Sequence, residues 1–190
     1  MGAMSMLLVL TCLTIVVALT GGAGVSFGIA AARLVTGTFG RWSIVGGAFG
    51  GLLIGAIVKL LGLDAFNLLL GRGPSRITGA FEGLMIGAAV GLGVWLGGGR
   101  LRRSAITAGG AGAVAGAIIP SFGGHLMAGS LAELAQTFPE SRLRLDQLGQ
   151  LVGESGFGPI AQSVTGALEG CLFGACAAGA IAIARKTMAE

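Results

Sequence analysis

The sequence predicts an all-α integral membrane protein of about five transmembrane helices packed through glycine stripes, built as two tandem parallel two-helix repeats with short amphipathic helices capping one face. Three observations carry this reading. Hydrophobic residues make up 54% of the 190 and charged residues only 11%, where a soluble domain is roughly a quarter charged. Most of the 38 glycines lie inside apolar segments, where small residues let helix backbones approach closely in lipid, so these are packing residues and not linkers. Finally, Thr78 to Gly83, reading TGAFEG, returns as TGALEG from Thr165 to Gly170. Each copy carries the only carboxylate of its apolar segment, Glu82 or Glu169.

The first span is read from Met6 to Ala32, apolar over about 27 residues where roughly 20 cross a bilayer. No Lys or Arg precedes it and it outlasts the apolar core of a secretory signal, so it is read as a span and not a leader. It carries the stripe Thr20, Gly24, Gly28, Ala32 and ends at Arg33 and Arg41. The second span, Ser43 to Leu61, has Gly47, Gly51 and Gly55 on one helical face. Leu63 and Asp64 are expected to open a short interfacial helix, AFNLLLG, with Asp64 as N-cap. Gly71 to Pro74 then forms a turn, proline being favoured at a first helical position.

The third span runs from Ile77 to Leu96, with Gly79, Gly83, Gly87 and Gly91 at four-residue intervals, and Arg100, Arg102 and Arg103 follow it. The fourth, Ala105 to Ile119, holds Gly112 and Gly116 and stops at Pro120, which cannot continue a helix. From Ser121 to Gly158 the chain turns polar. There Ser130 and Glu133 form an S-x-x-E capping box for a helix LAELAQTF, and Leu143 to Val152 reads as a second surface helix. The fifth span, Pro159 to Ala184, places Gly166, Gly170, Gly174 and Ala178 on one stripe and closes with Arg185 and Lys186.

The second and third spans match the fourth and fifth in order. Gly55-Ala56-Ile57 corresponds to Gly116-Ala117-Ile118, LGLD at Leu61 to LRLD at Leu143, Gly71-Arg72-Gly73-Pro74 to Gly156-Phe157-Gly158-Pro159, and TGAFEG to TGALEG. The expected organisation is an N-terminal span over 1–36, a first two-span unit over 37–99, and a second over 100–190 with an inserted extramembrane loop at 121–158. Two spans per unit make the copies parallel.

Charge sets the expected orientation. One face receives Arg33, Arg41, Arg100, Arg102, Arg103, Arg185 and Lys186 against Glu190; the other receives Lys59 and four arginines offset by five acids. The positive-inside rule puts the first face in the cytoplasm, giving an N-terminus outside and a C-terminus inside a bacterial-type inner membrane. Trp42 and Trp95 fall at the same ends of their spans, as an interfacial aromatic belt would place them.

Little in the chain points to chemistry. There is no Ser-His-acid set, no histidine pair and no phosphate loop, and His125 is the only histidine. Cys12, Cys171 and Cys176 all fall in apolar segments, without the clustering a metal needs. The arginines flank spans and form no patch with interleaved aromatics, which argues against nucleic acid. A non-enzyme without cofactor or metal is expected, with other membrane protein subunits or copies of itself, and lipid, as partners.

Glu82 and Glu169 remain, about 12 and 15 Å into their helices if these start at Pro74 and Pro159. Each precedes a stripe glycine and so points toward a packed side. Either they fix helix packing by hydrogen bonding, or they line a proton or cation path. Lys59 is at a reachable depth for Glu82 and is its expected ion-pair partner, while Pro120 stands at the matching place for Glu169, which should then be protonated or bound to a cation or partner. Glycine stripes with a mid-span acid resemble the hairpin of rotary ATPase proteolipid subunits, from which the long outer loop departs. Repeated G-x-x-x-G spans are similar to those of the mitochondrial Tim translocase family. Both resemblances rest on glycine spacing, and no residue role is carried over from either.

Overall fold

The computed structural model describes residues 3–37, 40–70, 78–137 and 145–188. These form seven α-helices: α1 Ala3–Thr36, α2 Trp42–Leu70, α3 Ala80–Gly97, α4 Leu101–Ile118, α5 Met127–Thr137, α6 Asp146–Leu151 and α7 Pro159–Thr187, with a 3-10 turn Ile119–Phe122 after α4. Five segments are long and apolar enough to cross a membrane: Thr11–Thr36, Trp42–Asp64, Ala80–Gly97, the stretch opening at Leu101, and Pro159–Thr187. Glycine-rich sequences of this kind are poor helix formers in water. In hydrocarbon the balance reverses, because only a helix satisfies every backbone group within the segment.

α3 is the most enclosed span, half of it buried, because α2 covers one flank, α4 the other, and α7 packs on α4 while touching α3. α1 lies on the outside against α2. One core cluster joins Val25 and Ile29 of α1 to Val90 and Val94 of α3, Ala108 of α4 and Ala177 and Ala178 of α7. A second, nearer the other end, joins Ile86, Ala89, Ala115 and Ile119.

The reversal between α3 and α4 is made by two glycines. Gly98 caps α3 at φ 59° and Gly99 follows at φ 83°, backbone angles that side chains with a Cβ rarely adopt. Gly98 N–H donates to Trp95 O at 3.3 Å and Arg100 N–H to Gly97 O at 3.1 Å. The hairpin is so tight that a Cβ on Gly93 or Gly97 would strike the backbone of Ala108 or Ser104.

Backbones also touch across the longer interfaces. Between α2 and α3, a Cβ built on Gly47, Gly51 or Gly55 would run into the carbonyl of Gly87, Gly83 or Gly79 respectively, and Gly91 lies against Ser43. Between α4 and α7, Gly112 meets the Gly170 carbonyl and Gly116 the Gly166 carbonyl, while Gly174 lies against Ala108. Between α1 and α2, Gly28 meets Gly46, and Gly24 lies against Gly50 and the Ile54 side chain.

Four local expectations are corrected. α2 runs unbroken to Leu70, with Asp64 exposed inside it and not capping a new helix, because LGLDAFNLLL has no proline and its leucines favour continuation over the single Gly62. α4 starts at Leu101, so Arg102 and Arg103 belong to its first turn and the α3–α4 connection is only Gly98 to Arg100. α5 starts at Met127, which leaves Ser130 within the helix and not at its N-cap. α3 starts at Ala80, so Glu82 is its third residue and sits in the first turn, not two turns in. Ile77 and the Gly71–Pro74 turn lie outside the described residues, as do Leu143 and Arg144 ahead of α6.

Candidate functional site

The two repeated acids meet at one place, around the segment that links the 3-10 turn to α5. Pro120 ends α4, and Gly123, at φ 74°, turns the chain back toward the bundle. Gly123 N–H bonds to Pro120 O at 2.9 Å and Gly124 N–H to Ile119 O at 3.1 Å. Gly124 passes so close to Glu82 that a Cβ there would sit 2.9 Å from its Oε1. The chain therefore arrives at His125 with its next N–H groups facing two carboxyl side chains.

Glu82 is 93% buried, with 7% of its surface exposed. Its Oε2 accepts the N–H of Gly79, the N-cap of its own helix, at 2.8 Å, and its Oε1 accepts the N–H of His125 at 3.0 Å. Glu169, the acid of the second motif, projects from α7 and accepts the N–H of Met127 on Oε2 at 2.7 Å and that of Ala128 on Oε1 at 2.8 Å. Met127 and Ala128 are the first two residues of α5, and a helix leaves its first N–H groups unsatisfied and its N-terminus partly positive. A carboxyl group on α7 thus does for α5 what an N-cap side chain would do. This is why the Ser130 capping box is not used.

Ser130 is engaged elsewhere. Thr78 N–H donates to Ser130 Oγ at 3.0 Å, and Thr78 Oγ1 lies 2.8 Å from the carbonyl of His125 and 3.0 Å from Ser130 Oγ. A carbonyl only accepts, so the Thr78 hydroxyl donates to His125 O and the Ser130 hydroxyl donates to Thr78 Oγ1. The first motif thereby grips the inserted segment through Thr78 and Glu82. Its counterpart Thr165 instead donates to Ala161 O within α7, at 2.7 Å.

A cavity of about 10 Å³ lies beside Glu169, bounded by Gly124, His125, Gln162 and Thr165. That is room for one water molecule. At the same end a third acid, Glu154, accepts the N–H groups of Ile160 at 3.1 Å and Ala161 at 2.8 Å. It holds the first turn of α7 as Glu169 holds that of α5.

Lys59 lies alongside this site. A Cβ on Gly79 would be 2.6 Å from Lys59 Cδ, 3.5 Å from its Nζ and 3.6 Å from Glu82 Oε2. Within hydrogen-bonding range the Glu82 oxygens meet backbone N–H groups, not the ammonium. The glycines singled out in the sequence sit at the helix contacts described above. Sequence reasoning missed the partners of all three acids, although D/E residues close to helix starts at Gly79 and Pro159 are a readable capping signal for Glu82 and Glu154. Among the described residues no three His, Cys, Asp or Glu side chains gather in a metal-binding group. Comparison of this chain with protein-family models, with curated proteins and with solved structures finds no match.

Proposed function

We propose that this is a non-catalytic integral membrane protein, a structural or accessory subunit that docks in a larger membrane assembly through its apolar outer surface. The observation that carries the reading is the use made of the acids. Glu82, Glu169 and Glu154 each accept backbone N–H groups at a helix start of the same chain, which is the work of a framework. Copurification tests it: a tagged chain extracted in mild detergent should bring stoichiometric partner chains with it. Recovery of copies of itself alone, with ion flux in proteoliposomes, would overturn it.

A second reading, a small channel or transporter with a proton or cation path through Glu82 and Glu169, draws on the water-sized cavity that Glu169 shares with His125, Gln162 and Thr165. Its test is flux that Glu169→Gln abolishes.

In the same reading the spans are packed through glycine stripes and the chain is a tandem duplication. What supports this is the agreement of contacts with the sequence alignment. Gly55 with Gly79, Gly51 with Gly83 and Gly47 with Gly87 have as counterparts Gly116 with Gly166, Gly112 with Gly170 and Ala108 with Gly174. The second unit then differs by an insertion, α5 and α6, whose beginning the repeated acids fasten down. With five crossings, the basic end is cytoplasmic and the N-terminus outside.

A further inference from the structure

Three polar side chains of α7 border one small space. Thr165 and Glu169 follow Gln162 by three and seven residues, spacings that stack all three on one face of a helix. Gly166, on the same face, lies against the carbonyl of Gly116 in α4, so this face turns into the bundle and not to lipid. The cavity of about 10 Å³ is bounded by these three side chains together with Gly124, His125 and Gly129.

Each of the three side chains keeps hydrogen-bonding capacity beyond its bonds within the described residues. The oxygens of Glu169 accept one N–H each, from Met127 and Ala128, and a carboxylate oxygen can accept more than one hydrogen bond. The Thr165 hydroxyl donates to Ala161 O at 2.7 Å, which leaves its oxygen able to accept. The Gln162 amide donates to Phe157 O at 3.5 Å, and its second N–H and its oxygen remain. A particle that suits this space must donate to Glu169 and Thr165 and accept from Gln162, in the room of one water molecule. A bare cation can do neither, and it would meet the positive end of α5, whose first N–H groups already lie on Glu169. A polar cavity of this size with roughly two to four polar partners holds water.

We propose that this cavity is a binding site for one water molecule, which donates to Glu169 and to Thr165 Oγ1 and accepts from the Gln162 amide. The two motifs then use their threonines to the same end. Thr78 holds the segment ahead of α5 by donating directly to His125 O, and Thr165 holds it through the water on Glu169. The site does not depend on the subunit reading.

The test is magnetisation transfer from water to the amide protons of Met127 and Ala128, measured on the full chain in detergent micelles with carbon-bound positions deuterated. Both amides should show a long-lived water contact, which a rotating-frame experiment separates by sign from amide exchange. Gln162→Leu with Thr165→Val should abolish the contact; its survival in that variant, or its absence in the wild type, overturns the proposal. A contact that Gln162→Leu leaves unchanged and Thr165→Val alone removes would come from the hydroxyl proton and overturns it as well. So does movement of these two amide shifts when sodium replaces potassium at constant ionic strength, because a cation would then be the ligand. Should the variants fail to fold, the wild type decides, since the site requires a long-lived water contact at Met127 and Ala128 and is refuted without one.

Discussion

Glu82 and Glu169 close on one short segment from two sides, Glu82 accepting the N–H of His125 at 3.0 Å and Glu169 those of Met127 and Ala128 at 2.7 and 2.8 Å. Each carboxyl group supplies an acceptor that the segment could not find in an apolar surrounding, and each comes from the same repeated motif. An acid in a membrane span invites a transport reading. Here the geometry gives both acids a structural task, and that makes their loss predictable.

Replacing Glu169 by glutamine leaves one acceptor oxygen for two N–H groups and turns an NH2 toward the other. The expected cost is about 1–3 kcal/mol of stability, read from unfolding in mixed micelles. Glu82→Gln loses one of the Gly79 and His125 bonds in the same way and should cost a similar amount. Wild-type stability in both variants would show that the carboxyl contacts carry no weight.

The glycine contacts separate into positions that admit a side chain and positions that do not. A Cβ on Gly83 or Gly170 meets the carbonyl of Gly51 or Gly112, whereas one on Gly22 or Gly110 meets nothing within 4 Å. Gly83→Leu and Gly170→Leu should abolish the folded monomer in detergent, because backbone contact is the main attraction between spans in lipid. Gly22→Leu and Gly110→Leu should be tolerated. Size-exclusion profiles distinguish these, and tolerance at Gly83 would mean the spans separate at little cost.

The Thr78–Ser130 circuit predicts a coupling. Thr78→Val removes the donor to His125 O and the acceptor of the Ser130 hydroxyl, and Ser130→Ala removes the acceptor of Thr78 N–H. Each should cost about 1 kcal/mol, and the double variant should cost less than the two together because the bonds are shared. Additive losses would mean that the hydroxyls act separately.

The five spans were legible because hydropathy and length leave few alternatives for an apolar stretch. Helix ends were less so. α2 passes through Asp64 because a single exposed acid near a span end does not break a helix, and only its exposed position, known from the fold, makes that evident. The candidate site was half legible: the repeat marked Glu82 and Glu169, but their partners are backbone N–H groups, which every residue carries and no sequence pattern advertises. Lys59 looked like the partner of Glu82 since charge is visible in a sequence and a segment's path is not.

Crossing is tested from the two ends. Single cysteines at Arg100, in the α3–α4 turn, and at Ser155, between α6 and α7, are both at exposed positions, and should be labelled from opposite sides of intact membrane vesicles. Labelling of both from one side would mean that α4 does not cross.

The most direct test of the clasp is hydrogen exchange, followed by mass spectrometry, over residues 124–137 in wild type and Glu169→Gln. Exchange there should quicken in the variant on the order of tenfold for each 1.4 kcal/mol lost, while peptides from α3 and the C-terminal half of α7 keep their protection. Unchanged protection of that segment would contradict the account, because Glu169 would then hold nothing.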